Sequence, residues 1–209
     1  MSAEKALQRG LVYRFLSIAF SAPGHDFAGT VVPLLTPSLT PSRRLQDFMT
    51  EHSQLFVVPG RLYIPPYESV YTGDTPGQLW GEPTLCVLKE YMREGLKPAR
   101  AEEPPDHIVC EMDFMRHLCE KESLAWEGGD CERARAVLEA EARFLKEHLL
   151  QWIPAFAAKV RASGTGYAGL ADMTERYVML ESRDIDIILA KGYTDEIAPE
   201  PTELLTGNN

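Results

Sequence analysis

A chain of 209 residues with 44% hydrophobic content can fill one core, or two small lobes sharing one, without covalent staples. Its 31 Asp and Glu against 21 Lys and Arg give a formal charge of -10, which repels phosphate backbones and sets nucleic acid aside as a partner. Cys86, Cys110, Cys119 and Cys131 form no CxxC pair, as in a reducing compartment, and neither a secretory leader nor a membrane span is visible, so a cytoplasmic home is expected.

From Glu4 to Phe20, Leu7, Leu11, Phe15 and Ile18 recur at three and four residues and predict an amphipathic helix that stops at Ser21-Ala22-Pro23-Gly24. A weaker helical stretch covers Asp26 to Leu35. Thr40-Pro41 then offers an N-cap with proline in the first turn, opening a helix to about Val57 that Pro59-Gly60 closes. Arg61 to Gly81 has no period and carries Tyr63, Tyr67, Tyr71 and Trp80 among prolines and glycines, either as a functional loop or as a lid on the core. Pro83 begins the next helix, with Leu85, Leu88, Tyr91 and Met92 on one face and Gly95 at its C-terminal end.

Lys97 to Pro105 has the proline-rich, charged composition of a hinge. Helices follow over Asp106 to Trp126, Cys131 to Leu150 and Tyr167 to Lys191, with a short one at Ile153 to Ala162 and a break at Gly128-Gly129. The fold class is all-α: one bundle-like domain over 1–193, hinged at 96–105, with an acidic tail over 194–209.

Asp106 follows two prolines and precedes an apolar run, so its carboxylate is placed to cap the first turn, with His107 beside it near the positive helix end. Ile108, Met112, Met115 and Cys119 form one apolar stripe and Cys110, Phe114 and Leu118 another, with Glu111 and Asp113 between them. His107 with Cys110, or His117 with Cys119, lacks the geometry of a metal site, and no cofactor is expected. His25-Asp26 invites a helical metal-dependent phosphohydrolase as the alternative reading, although no histidine precedes it. Gly164 to Gly169 matches GxGxxG but follows no strand, so it reads as a turn between helices.

Three blocks together resemble the TorD/DmsD/NarJ family of redox-enzyme maturation chaperones. They are Arg9-x3-Tyr13-x2-Leu16-Ser17-x2-Phe20; Pro66-Tyr67-Glu68-Ser69-Val70-Tyr71 running on to Leu79-Trp80-Gly81-Glu82-Pro83-Thr84; and Glu103-Pro104-Pro105-Asp106-His107-Ile108-x2-Glu111-Met112, with Phe144-Leu145-x2-His148-Leu149-x2-Trp152 beyond. The resemblance implies a cytoplasmic, non-catalytic protein. Its partner would be the twin-arginine signal peptide, or another segment, of a molybdopterin oxidoreductase precursor, held until cofactor insertion permits export. It further implies a peptide pocket at Tyr67, Ser69, Tyr71, Leu79, Trp80, Gly81, Pro83, Asp106, His107 and Glu111. Monomer and helix-exchanged dimer both stay open.

Overall fold

The structure is a computed structural model and describes residues 2–35, 41–74, 77–97 and 104–190. Its helices are α1 (Ala3–Phe20), α2 (His25–Thr30), α3 (Val32–Leu35), α4 (Pro41–His52), α5 (Glu82–Arg93), α6 (Ile108–Glu127), α7 (Cys131–Phe144), α8 (Leu150–Ala162) and α9 (Tyr167–Ala190). Among the described residues the only extended pairing is a single antiparallel bridge, Tyr67 with His107. The all-α expectation holds. Most of the hinge and the whole acidic tail lie outside the described residues, as does the Thr40 cap.

The helix α1 lies along α6, which also packs on α7, while α8 pairs with α9. One continuous apolar cluster runs through all of them, from Tyr13, Leu16 and Phe20 through Met112, Met115 and Phe144 to Trp152, Phe156 and Tyr167. Each such side chain contributes about 1.5–3 kcal/mol by leaving water.

The inward face of α1 departs from the periodic reading. Leu7 and Leu11 are exposed, and Ala6, Gly10, Tyr13, Leu16 and Ala19 face the core instead. Small residues win here because they let two backbones come close: a Cβ on Gly10 would sit 3.3 Å from the Cys119 Cβ of α6. The same rotation occurs in α5, where Leu85 and Met92 face outward and Thr84, Val87, Glu90 and Tyr91 face inward. In α5 the two buried polar side chains, Thr84 and Glu90, occupy places that apolar periodicity reserves for leucine and methionine.

Three of the boundaries carry a local cause. The left-handed φ of 76° at Gly95 ends α5, as expected, with Leu96 N donating back to Tyr91 O at 2.9 Å. Gly129 turns the chain between α6 and α7 with a φ of 71°. Between Phe144 and Leu150 no break occurs: a π turn, Leu145–Leu149, carries α7 into α8, so the two segments expected to be separate form one helical run. Pro154 lies one turn on, in the first turns of α8, and has no N–H to give.

Candidate functional site

The long aromatic segment and the start of α6 are stitched together by backbone. Ile108 N donates to Pro66 O at 2.9 Å and Glu68 N to Asp106 O at 3.0 Å, which fixes Tyr67 opposite His107. Their rings meet edge to face, with centroids 5.0 Å apart. A short 3₁₀ turn, Glu68–Val70, follows and delivers Ser69 inward and Tyr71 to the flank of α8. Tyr71 stacks on Trp152, donates its hydroxyl to Pro65 O at 2.9 Å, and carries the Lys159 ammonium 4.6 Å above its ring.

Capping of α6 differs from the expectation. The helix begins at Ile108, and its N-cap is His107, whose Nδ1 accepts from Val109 N at 3.2 Å. Asp106 sits one residue too early to reach the first turn. Its carboxylate points inward and accepts from Ser69 N at 2.8 Å, tying the 3₁₀ turn to the entrance of α6. As an acceptor, His107 Nδ1 carries no proton, which suits its place at the positive end of a helix.

Seven of the ten residues inferred from the resemblance reach the surface in part or in full: Tyr67, Tyr71, Leu79, Trp80, Gly81, Pro83 and His107. Ser69, Asp106 and Glu111 are buried behind them. Trp80 is 55% exposed and holds a left-handed φ of 61°, a conformation that costs a non-glycine residue about 1–2 kcal/mol. Gly73 has a φ of 82° and lies so near the Pro83 ring that an added Cβ would come within 3.0 Å of it. That close approach closes the loop from Val70 back onto the start of α5.

Behind this rim lies a buried polar group that sequence reasoning did not assemble. Glu68 receives His148 Nδ1 at 3.0 Å, Glu111 receives Trp152 Nε1 at 3.0 Å, and Tyr91 donates its hydroxyl to Pro105 O at 2.9 Å. Burial, first, and the neighbouring carboxylates push the Glu111 carboxyl well above its ordinary range. Glu68 is also raised by burial, less so because His148 supports its charge. The visible signal was Glu111, an acid set between two apolar stripes.

A second buried cluster centres on Arg9 of α1, which pairs with Glu122 of α6, with Glu141 of α7 at 2.5 Å and with Glu181 of α9 at 2.9 Å. Burial works against the guanidinium charge, and the carboxylates overcome it and hold its pKa above the ordinary value. Three carboxylates, each from a different helix, hold the one guanidinium. The arrangement is a structural knot.

Metal chemistry finds little support. Among the described residues, Glu90, Glu147 and His148 bring ligand atoms within 4.8 Å of one another. The Glu90 carboxylate is already taken by Arg143 at 3.0 Å and by Arg93, and His148 Nδ1 by Glu68. His25 and Asp26 are exposed side by side in the first turn of α2, 3.7 Å apart, far from the buried, multi-ligand setting of a hydrolytic metal. No described helix is long and apolar enough to cross a membrane.

Residues 26–158 match the family described as nitrate reductase delta subunit. The chain belongs to that family. A TorD chaperone protein of Vibrio cholerae is 32% identical over 124 residues, 56% of this chain and 54% of that protein. A selenate reductase assembly chaperone of Thauera selenatis is 39% identical over 67 residues, covering 32% of this chain and 33% of that one. The crystal structure of a redox enzyme maturation protein described as putative, from Archaeoglobus fulgidus, superposes with a TM-score of 0.55 at 20% identity, covering 82% of this chain and 93% of that one, and shows the fold. The matched stretch spans about half the length of the Vibrio relative. These names describe chaperones and maturation proteins rather than catalysts, and the resemblance read from the three sequence blocks points to the same family.

Proposed function

We propose that this member of the nitrate reductase delta subunit family is a cytoplasmic maturation chaperone for a molybdopterin oxidoreductase. It would bind the twin-arginine signal peptide of the precursor and delay export until the cofactor is in place. The observation that carries this reading is Trp80. A large ring kept more than half exposed in a disfavoured backbone conformation is a ready anchor for an apolar segment. Leu79 and Leu85, both exposed, extend the apolar surface along the chain, and the chain's charge of -10 complements a paired-arginine motif. Ser69, Asp106 and Glu111 are then supports of the rim rather than contacts.

Calorimetric titration with a twin-arginine signal peptide from a molybdoenzyme subunit tests the reading. Saturable binding is expected, weakened by salt and reduced tenfold or more in folded Trp80→Ala. Absence of binding to any such peptide, or equal binding by Trp80→Ala, overturns it.

A further inference from the structure

The outer face of α5 carries an apolar stripe. Leu85 and Met92, seven residues apart and so on one side of the helix, are 54% and 65% exposed, and Leu88 lies half-buried on the same side between them. Leu79 and Trp80, also exposed, stand just before the first turn of α5. Charge divides this face into two ends. At the start of α5 the exposed charges are acids: Glu82 in the first turn, and Asp74, brought near it because the adjoining Gly73 lies against the Pro83 ring. Towards the other end they are cations, Lys89 and Arg93. Arg93 pairs with the buried Glu90, yet its side chain stays 58% exposed. Glu94, the acid at that end, is largely buried and paired with Lys121.

In a chain of charge -10 a cationic half-face is a local exception, and it gives the stripe a direction. A signal peptide has a direction of its own, since its cationic region precedes an apolar run of about 7–15 residues. From Glu82 to Met92 the helix rises about 15 Å, room for an apolar run of roughly ten residues in helical form. With its arginines at Asp74 and Glu82, such a peptide lays the run over Leu85, Leu88 and Met92 and keeps its charge away from Lys89 and Arg93. The opposite placement sets two arginines against two cations and leaves both acids unmatched.

We infer that the peptide docks parallel to α5, its paired arginines on Asp74 and Glu82 and its apolar run along Leu85, Leu88 and Met92. The inference rests on the reading of the chain as a receptor for a twin-arginine signal peptide. The direction and the docking face go beyond that reading, because binding alone decides neither.

Photocrosslinking on the full chain tests the direction. A synthetic twin-arginine signal peptide of a molybdoenzyme subunit is made in two versions, with benzoylphenylalanine either just before the arginines or at the end of the apolar run, and the labelled residues are mapped by mass spectrometry. The first version should label residue 74 or 77–82, and the second 88–93. The double variant Asp74→Lys with Glu82→Lys, shown to be folded by circular dichroism, should bind the arginine peptide at least tenfold more weakly than the wild type does. Its affinity for a peptide with both arginines replaced by glutamine should match the wild type's within about twofold. Met92→Asp, on the exposed face, should weaken both peptides at least tenfold. Reversed labelling, or labelling away from α5, with saturable binding intact overturns the inference and leaves the receptor reading standing. So does a double variant that weakens both peptides alike, or a Met92→Asp variant that binds as the wild type does. Absence of saturable binding by the wild type overturns the receptor reading and this inference together.

Discussion

Trp152 stacks on Tyr71 with ring centroids 5.6 Å apart and planes inclined by 30°, and the same indole donates its N–H to Glu111 at 3.0 Å. One buried ring thus touches the outer rim on one side and a fully buried acid on the other. Trp152→Phe keeps the apolar contact and deletes the donor, leaving the Glu111 Oε2 atom buried without a partner. The expected loss is about 1–3 kcal/mol, read as a lowered midpoint in urea unfolding.

Arg9 is set among Glu122, Glu141 and Glu181, so its removal is felt by three acids at once. Arg9→Met should destabilise the protein by about 3–5 kcal/mol at neutral pH. The deficit should shrink as pH falls toward about 4.5, because the buried, abandoned carboxylates take up protons well above the ordinary carboxylate range. Equal deficits at both pH values would place the cost in packing instead.

Within that knot, burial, opposed by Arg9, lifts the Glu141 pKa from its ordinary 4.5 to about 8. Because the folded state holds this proton more tightly than the unfolded chain does, the contribution is full below about pH 4.5 and is lost as pH rises to about 8. Glu141→Gln, which cannot titrate, should flatten the fall in unfolding free energy across this window by on the order of 1 kcal/mol per pH unit. Urea unfolding at about pH 5, 6.5 and 8 measures the slope.

The exchanged duties of Asp106 and His107 separate cleanly by mutation. His107→Ala removes the α6 cap and should cost about 1 kcal/mol. Asp106→Ala strips Ser69 N of its acceptor and should cost about 1–3 kcal/mol, while Asp106→Asn, which keeps an oxygen for that N–H, should recover most of it. Asparagine performing no better than alanine would mean that the clasp contributes nothing.

At Trp80 the left-handed backbone favours glycine, although glycine also frees the unfolded chain. Trp80→Gly should therefore be more stable than Trp80→Ala by up to about 1 kcal/mol, with both losing the peptide anchor. A less stable glycine variant would show that the φ carries no strain.

Helix positions were legible wherever punctuation was strong: Pro-Gly after α1, Gly95 after α5, the glycine pair after α6. Helix rotation was not. In α1 the periodic leucines Leu7 and Leu11 advertise a core face, yet the neighbouring Ala6 and Gly10 are the residues that fit against α6. Close packing depends on the opposing surface, which one helix's sequence does not describe. The candidate rim was recoverable as a set of local motifs, whereas the polar group behind it joins residues 68, 111, 148 and 152 from four segments. Helical spacing links only His148 with Trp152, and nothing in the spacing brings Glu68 or Glu111 to that pair. The displaced cap had a subtler cause, since Asp outranks His as a capping residue and only the 3₁₀ turn's demand for an acceptor turned Asp106 inward.

The reach of Arg9 has a temporal side. Its partner Glu181 lies 172 residues further along the chain. During synthesis α1 leaves the ribosome before α6, α7 and lastly α9, all three of which its guanidinium needs for its seat. A helix made early is thus finished late, and a nascent chain stalled before Glu181 carries an incomplete knot around Arg9.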